Sequence, residues 1–236
     1  MTKADYIARV MLIMNEAGMI DKEGHSYIGA ETAQIDRYIE GSYVDAWRRC
    51  ASVMPRTWMG NKVLPTDGEK LVFDKITGVG YVVLPDDFYL LSKFKLQGWI
   101  KAVYEASIDN ERVANIQSNP YTRGSTMRPV CVIDNKQVDG VVRPVMMFYS
   151  LPRGIINRPS VEEAIYIPMC KPLKEMQDDE EVGLDERIIE PMAYLSASTV
   201  FTLFEKYDIA KGLEQRVVEM FPALKTQKGK NVTYKQ

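Results

Sequence analysis

The chain has 236 residues, of which 46% are hydrophobic and 26% charged, a balance typical of a folded protein and not of a disordered one. Its 30 Lys and Arg against 32 Asp and Glu give a formal net charge of −2, which excludes a strong overall positive field for attracting nucleic acid. Its 3 cysteines are scattered without a CxxC spacing, which suggests neither a disulfide framework nor a thiolate zinc site and favours a reducing compartment.

The N-terminal part of the chain shows helical periodicity in two segments. The first helix is predicted over residues 2–17, with Thr2 as its N-cap and Gly18 just beyond its end. Its apolar run VMLIM is too short for a secretory signal, and no run approaches the roughly 18 apolar residues of a membrane span, so we expect a soluble, non-exported protein. The second helix is predicted over about 30–53, and Pro55 ends it.

From about residue 60 the apolar period changes to short β-branched and aromatic runs between turn signals. This pattern predicts an antiparallel sheet or a small sandwich. Gly80 and the glycine two positions before it are interpreted as a hairpin turn, because no helix follows them as a dinucleotide site would require. The expected strands are KLVFD (70–74), GYVVLP (80–85), FYLLSKFKL (88–96), GWIKAVYEAS (98–107), RPVCVID (128–134), VVRPVMMFYSL (141–151) and EEAIYIPM (162–169).

Helical periodicity returns near the end of the chain. Residues 174–183 are acidic and are interpreted as a solvated linker, since their carboxylates lack the alternate spacing of a calcium loop. Asp185 is a predicted N-cap, and Pro191 inside the pattern predicts either a kink there or a helix that begins near Glu190. A last helix is predicted over about 208–220.

The final segment, 223–236, contains four lysines, no acidic residue and little that could build a core. Alone, such a segment cannot offset the entropy cost of ordering, so it is predicted to be an extended arm. The side chains expected to bind a partner are Lys225, Lys228, Lys230, Val232, Tyr234 and Lys235.

Candidate catalytic chemistry is sparse, and we predict no catalytic, cofactor-binding or metal-binding residue. His25 is the only histidine, and nothing in the sequence ties a nucleophile to it, so it is interpreted as an ordinary loop residue. Trp47, Trp58 and Trp99 could stack on single-stranded nucleic acid, but aromatic residues without interleaved basic clusters are more typical of a core or an interface.

A family resemblance rests on the motif Leu84-Pro85-Asp86-Asp87-Phe88 and on the order of the elements that follow it. These elements are GWIKAVYEAS, the aromatic run VMMFYSLP (145–152), the apolar run AIYIPM (164–169) and the helix start LDERIIEPMAYLSAS (184–198). The chain resembles the head-to-tail adaptor (connector) proteins of tailed bacteriophages, above all those of short-tailed phages. The resemblance implies a homo-oligomeric ring, most often a dodecamer, that docks under the portal protein and receives other tail or ring proteins. DNA would pass through its lumen without specific binding.

We therefore predict an α+β protein with a helical bundle, an inserted antiparallel β-rich domain and an extended C-terminal arm. The bundle is assigned to 1–58 and 184–222 and would form the ring wall; the insert is assigned to 59–173. The expected function is that of a structural virion protein at the portal vertex, assembled in the host cytoplasm, without enzymatic activity, cofactor or membrane. The alternatives are a nucleic-acid-binding accessory virion factor and a phage-encoded glycan hydrolase, the second disfavoured because no spaced pair of carboxylates stands at strand ends.

Overall fold

The computed structural model describes residues 1–19, 32–67, 70–74, 76, 79–107, 113, 115–117, 119, 124–151 and 159–221. Helices and antiparallel sheets occur together in it, which confirms the predicted α+β class. The chain divides into two compact units, one formed by Met1–Met59 with the chain from Cys170 onward, the other by Gly60–Met169. Within the described ranges, no helix is both long and apolar enough to cross a membrane.

The described part of the helical unit contains four main helices and shorter helical turns. The helices are α1 (Lys3–Met14), α2 (Thr32–Ala51), α3 (Glu186–Leu203) and α4 (Tyr207–Met220); the shorter turns are Asn15–Met19, Arg56–Trp58 and Leu173–Glu175. Helix α3 packs against α1, α2 and α4. It is buried on nearly every side, as expected of a helix whose sequence is apolar over most of its circumference.

Local capping chemistry fixes where α1 begins. The Thr2 hydroxyl accepts a hydrogen bond from the Asp5 N–H at 3.2 Å, and the Asp5 carboxylate accepts one from the Thr2 N–H at 3.1 Å. This reciprocal capping box confirms Thr2 as the N-cap. The helix ends earlier than predicted, at Met14, and a wider turn follows in which Gly18 has φ +103°, a conformation that favours glycine.

Helix α3 begins at Glu186, so the alternative start near Glu190 is wrong. Asp185 is the N-cap, and its side chain accepts a hydrogen bond from the Arg187 N–H at 2.9 Å. Pro191 lies inside the helix, where it is buried and supplies no N–H to the helical hydrogen bonds. The helix therefore begins at its Asp185 cap and continues through Pro191, although proline usually interrupts a helix.

The acidic segment 174–183 was predicted to be a solvated linker, and that interpretation is wrong in part. Met176 and Val182 are buried, and the Val182 N–H donates to the carbonyl of Met1. The carbonyls of Asp178 and Glu180 accept hydrogen bonds from the first N–H groups of α1. Because a helix has no internal acceptors for those N–H groups, the carbonyls of this segment complete the hydrogen bonding at the start of α1.

The second unit is a sandwich of two antiparallel sheets with strand orders β1-β7-β4 and β2-β3-β6-β5. Both sheets contribute side chains to one core, among them Leu91, Phe94 and Tyr166 from the first sheet and Val82, Met146 and Phe148 from the second. The strands are β1 (Lys62–Val63), β2 (Leu71–Asp74), β3 (Val79–Val83), β4 (Phe88–Leu96), β5 (Cys131–Val138), β6 (Val141–Phe148) and β7 (Val161–Pro168).

Two sequence-based assignments in the sandwich are wrong. Residues 98–107 do not form a strand: Val103 and Ser107 make single bridges, and Trp99 is buried in the core. The apolar run there reflects core packing, which periodicity cannot separate from strand formation. Gly80 lies inside β3 and not in the turn, since it pairs with Phe148 on β6.

Candidate interaction surfaces

The six side chains predicted to bind a partner all belong to the C-terminal arm, which lies outside the described residues, as does His25. Within the described ranges, no group of three or more His, Cys, Asp or Glu side chains is placed to hold a metal ion. The surfaces of the described chain therefore provide the remaining candidates for a functional site.

The cysteines offer little nucleophilic chemistry at neutral pH. All three are free, with Cys50 and Cys131 buried and Cys170 partly buried. Burial raises the pKa of Cys131, and it raises the pKa of Cys50 and of Cys170 to about 12. Because the thiolate is the reactive form, these thiols are protonated and unreactive under ordinary conditions.

The turn Leu84–Phe88, which carries the family resemblance, joins β3 to β4 and is fixed by Asp87. The Asp87 carboxylate accepts hydrogen bonds from the Lys62 ammonium and the Tyr166 hydroxyl, each at 2.7 Å. Partial burial opposes ionisation of Asp87, but these two hydrogen bonds outweigh it and hold its pKa below the ordinary value. One carboxylate thus links β1, β7 and the turn, which gives the motif a structural role.

The hairpin formed by β5 and β6 extends beyond its sheet as a two-stranded ribbon. Strand β3 pairs with β6 from Phe148 back to Val145, and the ladder between β5 and β6 continues to Val138 and Val141. Asp139 and Gly140, with φ of +52° and +79°, make the turn, a pair of positive values typical of tight hairpins. Val141 and its neighbour Val142 are 54% and 69% exposed, so the end of the ribbon presents apolar side chains to solvent.

The edges of this ribbon are poor templates for another strand. The Asn135 N–H donates to the neighbouring Asp134 carboxylate at 2.7 Å, and Pro144 has no N–H to offer. Lys136 and Arg143 lie directly opposite each other, an arrangement of like charges that disfavours the isolated hairpin. The ribbon is therefore suited to contacts through its side chains and not to strand addition.

A groove of about 370 Å³ lies between α2 and the C-terminal half of α3. Tyr38 and Leu203, which are 41% and 57% exposed, contribute apolar surface, and Arg37 and Arg48 stand along the α2 side. Sequence reasoning missed this groove, because it depends on two helices that are far apart in the sequence. The sequence feature that indicates the groove is Gly41, a glycine in the middle of α2.

The tryptophans do not form an exposed stacking surface in the described structure. Trp47 and Trp99 are buried, at 1% and 3% exposure. Trp58 is partly buried, and the guanidinium of Arg187 lies over its ring at 4.5 Å. These side chains therefore serve packing, the more ordinary of the two interpretations given to them.

No protein-family model matches the sequence, and a search of curated proteins finds no significant match.

Proposed function

We propose that this chain is the subunit of a head-to-tail connector ring of a short-tailed bacteriophage, a structural virion protein without enzymatic activity. The observation that carries the proposal is the turn Leu84–Phe88 set between an apolar strand and a long strand of a β-rich unit, with helices before and after that unit in the sequence. That order of elements and that motif are the features in which the chain resembles the connector family.

The exposed surfaces support an assembling protein. A ring subunit must present, as a monomer, apolar surface that its neighbours cover in the ring. The ribbon end at Val141 and Val142 and the groove beside Leu203 are surfaces of this kind. In the proposed ring, the helical unit forms the wall and the ribbon contacts the next component of the tail.

The charge of the chain supports a passive route for DNA. A lumen through which DNA moves should not hold phosphates, and a net charge of −2 provides no general attraction for them. The burial of Trp47 and Trp99 also weakens the alternative of a nucleic-acid-binding factor that stacks bases on exposed aromatic rings.

The proposed partners are the portal protein, other tail or ring proteins, and further copies of this chain. The proposed location is the portal vertex of the virion, reached after assembly in the host cytoplasm. The C-terminal arm would contact the portal or a neighbouring subunit, with Lys225, Lys228, Lys230 and Lys235 as its cations.

Sedimentation velocity and electron microscopy of the full chain, with and without the portal protein of the same phage, test the proposal. We expect a monomer or weak oligomer alone and a closed ring on the portal. A stable dimer that does not bind the portal would contradict the proposal, as would salt-dependent binding to DNA by the isolated chain.

A further inference from the structure

Helix α2 carries a regular stripe of residues on its outer side. Arg37, Gly41, Val44 and Arg48 follow each other at intervals of four, three and four residues, which places them along one face of a helix. Arg37, Gly41 and Arg48 are exposed, and all four residues line the groove between α2 and α3. We call these four residues the α2 stripe; it has a cation at each end and a notch without a side chain near its middle.

Helix α4 carries a stripe of the same spacing with the opposite charge. Asp208, Gly212, Gln215 and Glu219 are also separated by four, three and four residues, and all four are exposed. We call them the α4 stripe. In each stripe the first and last residues are 11 positions apart, which is about 16 Å along a helix. The two charged ends of the α2 stripe are therefore as far apart as the two charged ends of the α4 stripe.

The two glycines are not required by the fold of the single chain. Both lie inside a helix, and a Cβ added to Gly41 or to Gly212 would meet no atom within 4 Å. Glycine in a helix interior destabilises it by roughly 0.5–1 kcal/mol relative to alanine. Helices α2 and α4 therefore each carry a surface glycine for which packing among the described residues gives no reason, which points to close approach by another backbone or side chain.

In the part of the chain that the structure describes, the charged ends of both stripes are also without a partner. Among the described residues, Arg37, Arg48, Asp208 and Glu219 make no salt bridge or side-chain hydrogen bond. The neighbouring Arg49 and Glu214, in contrast, pair with each other at 2.7 Å between α2 and α4. The cations and anions at the stripe ends are thus available to another molecule.

We propose that the α2 stripe of one copy binds the α4 stripe of a second copy, with the two helices antiparallel. In this register Arg37 meets Glu219 and Arg48 meets Asp208. Val44 then lies against Gly212, and Gln215 lies against Gly41. Each glycine receives the larger residue of the other helix, whereas a parallel register would leave the two glycines opposite each other.

This contact deepens the proposed ring function and rests on it. The two stripes lie on different helices, so each copy offers one donor surface and one acceptor surface. Contacts of this head-to-tail kind generate a ring when the rotation between copies closes. The apolar surface of Leu203 and Tyr38 beside the α2 stripe would be covered by the neighbour's α4.

Disulfide trapping between two single variants tests the contact even if association is weak. Full-length Val44→Cys is mixed with full-length Gly212→Cys under mild oxidation at pH 8, and covalent dimers are measured by non-reducing electrophoresis. The three native thiols should form few competing disulfides, because burial raises their pKa values and favours the protonated form. We expect a dimer from this pair, at a yield at least tenfold above that of Gly41→Cys mixed with Gly212→Cys.

Charge reversal provides the second readout, on assembly with the portal. Arg48→Glu should reduce ring formation at least tenfold, and adding Asp208→Arg should restore it, whereas adding Glu219→Arg should not. Lys174→Glu, an equal charge change at an exposed site outside both stripes, is the control and should leave assembly unchanged. Circular dichroism melting confirms that each variant is folded.

Each outcome decides the proposal separately from the ring function. Rings on the portal without trapping of Val44→Cys by Gly212→Cys would overturn the contact and leave the ring function intact. Efficient trapping with assembly that stops at a closed dimer would support the contact and contradict the ring. Preferential trapping of the two glycine variants, or rescue by Glu219→Arg alone, would overturn the antiparallel register. If the stripe variants block portal binding without any trapping, the occupant is the portal and not a second copy.

Discussion

The ammonium of Lys3 lies 2.7 Å from the carboxylate of Glu40, and the Lys3 side chain is only 10% exposed. The same ammonium is 3.3 Å from the carbonyl of Met176 and 3.4 Å from the carboxylate of Asp178. A single cation therefore joins α1, α2 and the acidic segment. Charged groups with little solvent access depend on such partners, which makes this position sensitive to change.

Replacing Glu40 by Gln should destabilise the protein measurably. The substitution removes the closest anion from a poorly solvated ammonium, and loss of a hydrogen bond to a charged group costs about 2 kcal/mol. Urea denaturation should show this as a lower midpoint with an unchanged slope. Asp178→Asn is the control, because the Asp178 side chain is 85% exposed and should contribute less than about 0.5 kcal/mol.

The same group predicts a loss of stability at alkaline pH. The hydrogen bond to Glu40 is the main cause that raises the pKa of Lys3 above its ordinary value. A raised pKa in the folded state means that the contribution is complete below the unfolded-state pKa of about 10.4 and disappears as the pH rises through the folded-state pKa. The difference in melting temperature between the wild type and Lys3→Met should therefore be constant from pH 7 to 9 and shrink above about pH 10.5.

Substitution of Leu195 or Phe201 by Asp should abolish soluble folding. Both lie on α3, at 5% and 1% exposure, where an unpaired carboxylate has no solvent or cation to stabilise it. The cost of several kcal/mol is comparable with the whole stability of a domain. Leu203→Asp on the same helix is the control, because Leu203 is 57% exposed. A soluble variant of Leu195 or Phe201 that melts cooperatively would contradict the assigned core.

Local chemistry explains which parts of the fold were predictable from the sequence. Thr2 and Asp185 cap their helices with their own side chains, so the sequence identifies the start of α1 and gives the start of α3 as one of two alternatives. The conformation of residues 98–107 could not be predicted from local sequence, because a segment outside the strands can still place its apolar side chains in the sandwich core. The acidic segment was misread for a similar reason, since its acceptors serve a helix more than 170 positions earlier in the chain.

The candidate surfaces were less predictable than the fold. The ribbon turn at Asp139 and Gly140 has a strong local signal, an Asp-Gly pair between valines. The groove between α2 and α3 depends instead on two helices that are distant in sequence. The sequence signal for this groove is the glycine at position 41, and the matched spacing of opposite charges on α2 and α4 is a signal for the proposed contact between copies.

Gly80→Ala should destabilise the sandwich, although alanine is ordinarily the better residue in regular structure. A Cβ at this position would overlap the ring of Phe148 and would lie 2.7 Å from the carbonyl oxygen of Val72. Overpacking of this kind costs about 1–3 kcal/mol. Gly41→Ala is the matched control: its Cβ has open space, so the helix should gain about 0.5–1 kcal/mol. Equal melting temperatures for the two variants would contradict the close packing of Phe148 on β3.

Asp87 should make the sandwich sensitive to acid. Its lowered pKa means that its contribution is present above the unfolded-state pKa of about 3.9 and is lost as the pH falls through the folded-state value. Asp87→Asn should therefore lower stability at pH 7, by about 1 kcal/mol after solvent screening of a side chain that is 36% exposed, and should differ less from wild type below about pH 4. Asp86→Asn, one residue away, is the control and should leave stability at pH 7 unchanged, because Lys62 and Tyr166 donate to Asp87.

Deletion of residues 224–236 should separate folding from assembly. The deleted segment has four lysines and no acidic residue, with Leu224, Val232 and Tyr234 as its apolar side chains. Ordering costs about 1–2 kcal/mol per residue, so such a segment needs a partner surface to become ordered. The melting temperature of the truncated monomer should equal that of the full chain, whereas ring formation on the portal should weaken.

Replacing the four lysines by Gln in the full chain should reproduce that weakening at low salt. The variant should differ less from wild type at high salt, because salt screens exposed charges. Undiminished ring formation by the truncated chain would show that the arm has no part in docking.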